Sequence, residues 1–234
     1  MSYWEDHENK AAHWSGGKLA KIKEAIFDFD AVLKQGSEQA VQTYLENWPF
    51  IFEFLCDDGA GFIQSHPKLA EKLIPDFVIF SRYRWTNNPF LLCTFIEIEN
   101  PSMPLFTRAG NPTSQLTHAI RQVQDWKSWV RNNSQYLQKE LAFKLNNEEL
   151  LNVQAHRMMK PALLAGAVTV GVSYRYMVIA GRRTSLQISD LVRLTEMNEN
   201  MNDIKVVTYD AILSGWINKT HNTESIFTSW NIIE

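Results

Sequence analysis

The stretch Phe90–Ser102, FLLCTFIEIENPS, restricts the possible folds more than any other part of the chain. An apolar run passes through Leu91, Leu92, Phe95 and Ile96, alternates as Glu97-Ile98-Glu99, and stops at Asn100-Pro101. This composition and the proline stop predict a buried strand that ends at a loop. Alternate strand residues share a face, which puts Glu97 and Glu99 on one side and Ile98 on the other. Acids at the end of an apolar strand are either solvated where the strand meets water, or paired, or bound to a metal.

The preceding segment bears on that choice. Pro75-Asp76-Phe77-Val78-Ile79-Phe80 reads as a strand covered on both faces, and Asn87-Asn88-Pro89 is a turn signal between it and the acidic strand. The two strands are therefore expected to form an antiparallel hairpin. Asp76 opens one strand, and Glu97 and Glu99 close the other, so all three carboxylates can converge at one edge. Three such acids repel one another, and a divalent cation would hold them together. Mg²⁺ takes one or two carboxylates plus waters at about 2.0–2.1 Å. Such an ion can activate a water and stabilise charge building on a phosphate.

The rest of the chain supplies layers for a sheet. Residues 1–17 read as an arm closed by Gly16-Gly17. From Lys18 to Leu33, apolar residues recur at three- and four-residue steps, as on one face of a helix. Gly36 ends this helix, and Ser37 can cap a second helix over Glu38 to Glu46 that stops at Trp48-Pro49. Residues 60–73 fit a strand or a short helix. After the loop at 103–113, Thr113 or Ser114 can cap a helix to about Asn132, with Ala119, Ile120, Val123, Trp126 and Val130 facing inward. Another helix is expected from about Ser134 into the 150s. A strand at Met177–Ala180 ends at Gly181, a helix follows over Leu186–Met197, a strand over Lys205–Thr208, and a helix begins near Tyr209-Asp210. This order predicts an α/β domain with a mixed central sheet flanked by helices. The division expected is an N-terminal arm and helical region over residues 1–60 and the main domain over 61–234.

Composition removes several classes. The formal net charge of -3 makes any nucleic-acid contact local rather than global. Two cysteines without a CxxC pair argue against a zinc ribbon or a disulfide scaffold, and suit a reducing cytoplasm. The acidic N-terminus is no signal peptide, and the longest apolar stretch, 161–172, is too short to span a bilayer. No HExxH, phosphate-binding glycine loop or GxSxG is present.

Pro75-Asp76 followed by Glu97-Ile98-Glu99 resembles the core motif of the PD-(D/E)XK nuclease superfamily. With TYLENWP, PLFTRAGNPTSQLTHAIRQVQDW, VIAGRR and VVTYDAIL, the region from Val41 to Leu213 is similar to the Shedu family of anti-phage nucleases. The resemblance implies a restriction-endonuclease-like fold, metal-dependent cleavage of phage DNA, self-association, and Mg²⁺ or Mn²⁺ as cofactor. It implies Asp76 and Glu97 as metal ligands and Gln122 as a polar helix residue reaching the site. The motif lysine is replaced by Glu99, which cannot donate when ionised and would act as ligand or base. The same change also fits a module that binds DNA or a partner protein without cutting.

Away from that motif, Arg108, Arg121, Arg182 and Arg183 are candidates for phosphate contact, and Arg131 stands with them. On residue type alone, Gln122 and His118 are ordinary surface or half-buried side chains. Glu46, at the end of the second helix, reads as an exposed acid more readily than as a site residue. Trp126 and Trp129 read as packing.

Overall fold

The computed structural model describes residues 17–48, 51–52, 62–83, 90–146, 155–157 and 167–214. The N-terminal arm up to Gly16, the turns at Asp57-Asp58-Gly59 and Asn87-Asn88-Pro89, and Trp216 lie outside them. Strand β2 (Phe77–Tyr83) pairs antiparallel with β3 (Phe90–Ile98), as the hairpin reading expects, in a register that runs from Phe77–Ile96 to Tyr83–Phe90. Strand β1 (Phe62–Ser65) pairs antiparallel with β2, which makes the ambiguous 60–73 segment a strand followed by irregular chain. Strand β4 (Ala155–Arg157) adds to the outer side of β1. On its other side β3 pairs parallel with β5 (Val172–Ile179), and β5 pairs parallel with β6 (Ile204–Val207). The sheet order is β4-β1-β2-β3-β5-β6. With helices on both faces, this is the mixed sheet expected of a restriction-endonuclease-like α/β fold.

Helix α1 (Gly17–Gln35) ends at Gly36, whose φ of +69° suits a residue without a side chain. Helix α2 (Glu38–Asn47) starts under Ser37, whose Oγ accepts from Ala40 N–H. Both helices pack on one face of the sheet. Phe29, Leu33, Val41 and Leu45 meet Phe77, Ile79, Ile96, Ile98 and Tyr209 there. Helix α3 (Ser114–Asn146) covers the other face, where Leu116, Ala119, Val123, Trp126 and Val130 meet Val78, Phe80, Cys93 and Phe95. Thr113 Oγ1 accepts from Leu116 N–H at its start. The break expected between Asn132 and Ser134 is a kink, because Asn133 is non-helical and its Nδ2 donates to Trp129 O. Helix α4 (Ile188–Asn200) links β5 to β6, and residues 209–214 are helical.

Two elements differ from the sequence reading. The helix predicted into the 150s is described as far as Asn146, residues 147–154 lie outside the described residues, and residues 155–157 form β4. A three-residue edge strand is too short to show a period. Strand β5 starts at Val172 rather than Met177. Its Val172, Tyr174, Tyr176 and Val178 alternate with Ser173, Arg175 and Met177, a two-residue pattern that aromatic and polar residues obscure.

Candidate active site

Register places Asp76 and Glu97. Beyond the Phe77–Ile96 pair, they are the next opposed residues of the β2–β3 ladder. Glu97 continues the row of Leu91, Cys93 and Phe95, on the face that α3 covers. Ile98 points the other way, into the core beneath α1 and α2. Ile98 N–H donates to Asp76 Oδ2 at 2.8 Å, so the Asp76 carboxylate continues the ladder where the strand ends.

Glu97 is only 7% exposed, although it is an acid. Burial pushes its carboxyl up to about 9, and the charges of Asp76, Glu99 and Glu38 add to that. Burial also raises Asp76, to about 6, against the lowering effects of Ile98 N–H and His66. Glu97 and Asp76 share a side-chain hydrogen bond that favours the proton on Glu97. Burial and mutual repulsion thus favour the protonated form in both acids, Glu97 more than the partly buried Asp76.

Glu99 lies one residue past β3 and is half-buried. Its N–H donates to Ile179 O at 2.9 Å, and its carbonyl accepts from Tyr209 Oη at 2.7 Å. Burial, then the charges of Glu38 and Asp76, raises its carboxyl to about 7. Among the described residues, no group of three or more His, Cys, Asp or Glu side chains is placed to hold one metal ion. The structure thus joins Asp76 and Glu97 closely and leaves Glu99 beside them.

Glu38 was missed from the sequence. It opens α2, and its charge acts on Asp76, Glu97 and Glu99 alike. An acid behind a serine cap looks like an ordinary helix start, and only the docking of α2 on Ile96 and Ile98 brings it near the strand end. Glu46, read as an exposed acid, is one-quarter exposed, accepts from Gln42 Nε2 at 3.0 Å, and lies 3.4 Å from His66 Nδ1.

Gln122 is half-buried beside Val123 on α3. Helix α3 packs on the sheet face to which Glu97 points. The Gln122 side chain makes no hydrogen bond with a described residue. His118, Arg108, Arg121 and Arg183 are exposed. Arg182 is different. Its Nε and Nη2 bond both oxygens of Asp210, and Nη2 also meets Asp30 at 2.7 Å. With its side chain 15% exposed, its Nε and Nη2 are engaged within the fold. Among the described residues, no helix is long and apolar enough to cross a membrane.

The profile of the family described as "Shedu protein SduA, C-terminal" matches residues 35–213. That span holds all of the strands and every candidate site residue. No curated protein matches the chain.

Proposed function

The chain belongs to the Shedu family, with its role in anti-phage defence, and we propose that it is a metal-dependent DNA endonuclease. The observation that carries this reading is the opposed pair of the partly buried Asp76 and the buried Glu97, whose carboxyls are raised by burial and by neighbouring acids. Two hard oxygen donors of this kind fit Mg²⁺ or Mn²⁺, which complete their shells with water. A cation bound there would supply Lewis-acid stabilisation of a phosphate and a more acidic water.

The chain's own residues account for the other roles. Asp76 is oriented by Ile98 N–H, and Glu97 by its place in the ladder. Glu99, held through its backbone at both sides and raised to about 7, is poised to take a proton from water near neutral pH. This is the task left open where the lysine of the motif is replaced. Gln122 would orient water or phosphate from α3. Arg108, Arg121 and Arg183 have exposed guanidinium groups for backbone phosphates. Arg182 drops out of that set because its Nε and Nη2 are engaged.

The second reading is a module that binds DNA or a partner protein without cutting. Glu99 in the lysine position favours it. Incubation of plasmid DNA with Mg²⁺ or Mn²⁺, against EDTA, separates the two. Metal-dependent cleavage that is lost in Asp76→Asn and Glu99→Gln is the result expected. No cleavage by the wild type, with a gain in Glu99→Lys, would replace the enzyme reading by the binding one.

A further inference from the structure

Resting on the metal-site reading above, we propose that His66 is a positioning residue for Asp76, held in place by Glu46 and Gln42 of α2. His66 follows β1 directly and has a φ of +46°. Among the described residues it shares a positive φ, outside glycine, only with Asn202. Asn202 belongs to the turn before β6, where asparagine is at home. A left-handed backbone disfavours a residue with a Cβ, and such strain persists where the side chain is needed.

The surroundings of His66 show that need. Its N–H donates to Asp76 O at 2.8 Å, which fixes the two residues side by side. Its Nε2 lies 3.9 Å from Asp76 Oδ1, beyond direct hydrogen-bond reach. Asp76 Oδ2 is already taken by Ile98 N–H, so the two contacts address both oxygens of the carboxylate. On the far side, Nδ1 of His66 lies 3.4 Å from Glu46 Oε1. The same oxygen accepts from Gln42 Nε2. Gln42 is buried, and with its Nε2 aimed at Glu46 its Oε1 has no partner among the described residues. A buried amide arranged at that expense supports a specific task for Glu46. The row Gln42, Glu46, His66, Asp76 thus carries the position of α2 to a carboxylate that is proposed to bind a cation. Outer partners of this kind change metal affinity by about 10- to 100-fold.

The test is calorimetric titration of the full chain with Mn²⁺, together with thermal midpoints in EDTA. His66→Gly removes the side chain and accepts the left-handed backbone, so it should fold. The expected result is Mn²⁺ affinity reduced about 10-fold or more, with a midpoint unchanged or higher. His66→Gln, which keeps a donor, should recover part of the affinity. Glu46→Gln should weaken binding in the wild type but add little in the His66→Gly background. If His66→Gly binds Mn²⁺ as tightly as the wild type while Asp76→Asn does not, the positioning role is wrong and the metal site stands. A lowered midpoint in His66→Gly, with no recovery of affinity in His66→Gln, would make His66 structural and overturn the proposal. If the wild type binds no Mn²⁺, or Asp76→Asn binds it normally, the metal site fails and the role of His66 fails with it.

Discussion

Strands β3 and β5 lie side by side and end at the same edge, Ile98 opposite Ile179, yet their ends handle charge in opposite ways. After β5, Arg182 meets Asp210 through both carboxylate oxygens and reaches Asp30. There Lys34 and then Arg182 hold the Asp30 carboxyl below its ordinary range, and Asp210 holds Arg182 above its own. At the end of β3, acids face acids and every carboxyl is raised. The first end ties α1, β5 and the helical residues 209–214 together by matched charge. The second is held by Ile98 N–H, Ile179 O and the Tyr209 hydroxyl, and its three acids outnumber His66 beside them. Matched charge serves the fold, whereas unmatched charge held this firmly suits a ligand of opposite sign.

Substitution should separate the two ends. Arg182→Met leaves Asp210 without its cationic partner at a mostly buried site, and Asp30 with Lys34 alone. Removing one member of such a pair costs about 3 kcal/mol. The thermal midpoint should then fall by roughly 6–12 °C in a domain of this size. A loss under about 2 °C would mean that the two ends do not differ in this way.

Glu97→Gln should act in the other direction. Cleavage should vanish, and in EDTA at pH 8 the midpoint should rise by several degrees. The sign follows from the raised carboxyls. The folded chain keeps protons that the unfolded chain releases, so stability falls as pH rises. The contribution of these acids is complete below about pH 4, and is lost as pH climbs through the values of about 6 for Asp76, 7 for Glu99 and 9 for Glu97. Metal-free wild type should therefore lose midpoint between about pH 5 and pH 9, with the upper part of the slope absent in Glu97→Gln. The Asp30 contribution runs oppositely, since a lowered carboxyl loses its stabilising effect as pH falls through the acid range. A wild-type midpoint that stays level or rises from pH 5 to pH 9 would remove the contrast.

The smallest expected change in stability is that of Gln122→Ala, which loses no hydrogen bond to a described residue. Its midpoint should stay nearly constant while cleavage falls. A large loss of stability would assign Gln122 to the fold and leave α3 without a polar group for the site.

Local chemistry explains why some of this could be read from the sequence. Asp76 and Glu97 are 21 residues apart in one hairpin, so two apolar strands and a turn signal suffice to oppose them. Ser37, Thr113 and Asn133 act on their own helices, where capping and breaking signals are reliable. The misreadings concern long separations. Arg182 looked free for phosphate because its partners lie 28 and 152 residues away. Glu38 enters the site through the docking of α2 on the sheet, and His66 through the β1–β2 register that sets it beside Asp76. A helix start and a polar residue after a strand carry no mark of either.

The hydroxyl of Tyr209 on the carbonyl of Glu99 joins residues 110 positions apart, whereas the Ile98–Asp76 contact spans 22. A loop five times longer costs only about 1.4 kcal/mol more to close. Entropy alone therefore gives little reason for one contact to precede the other. Topology does. The shorter contact needs one hairpin, whereas the longer one needs the α3 crossover, β5, α4 and β6 all in place. The paired acids are thus a local product of an early stretch of the chain, while Glu99 is anchored only when nearly the whole matched region has assembled. Constraint on Glu99 is in effect a report that the sheet is complete.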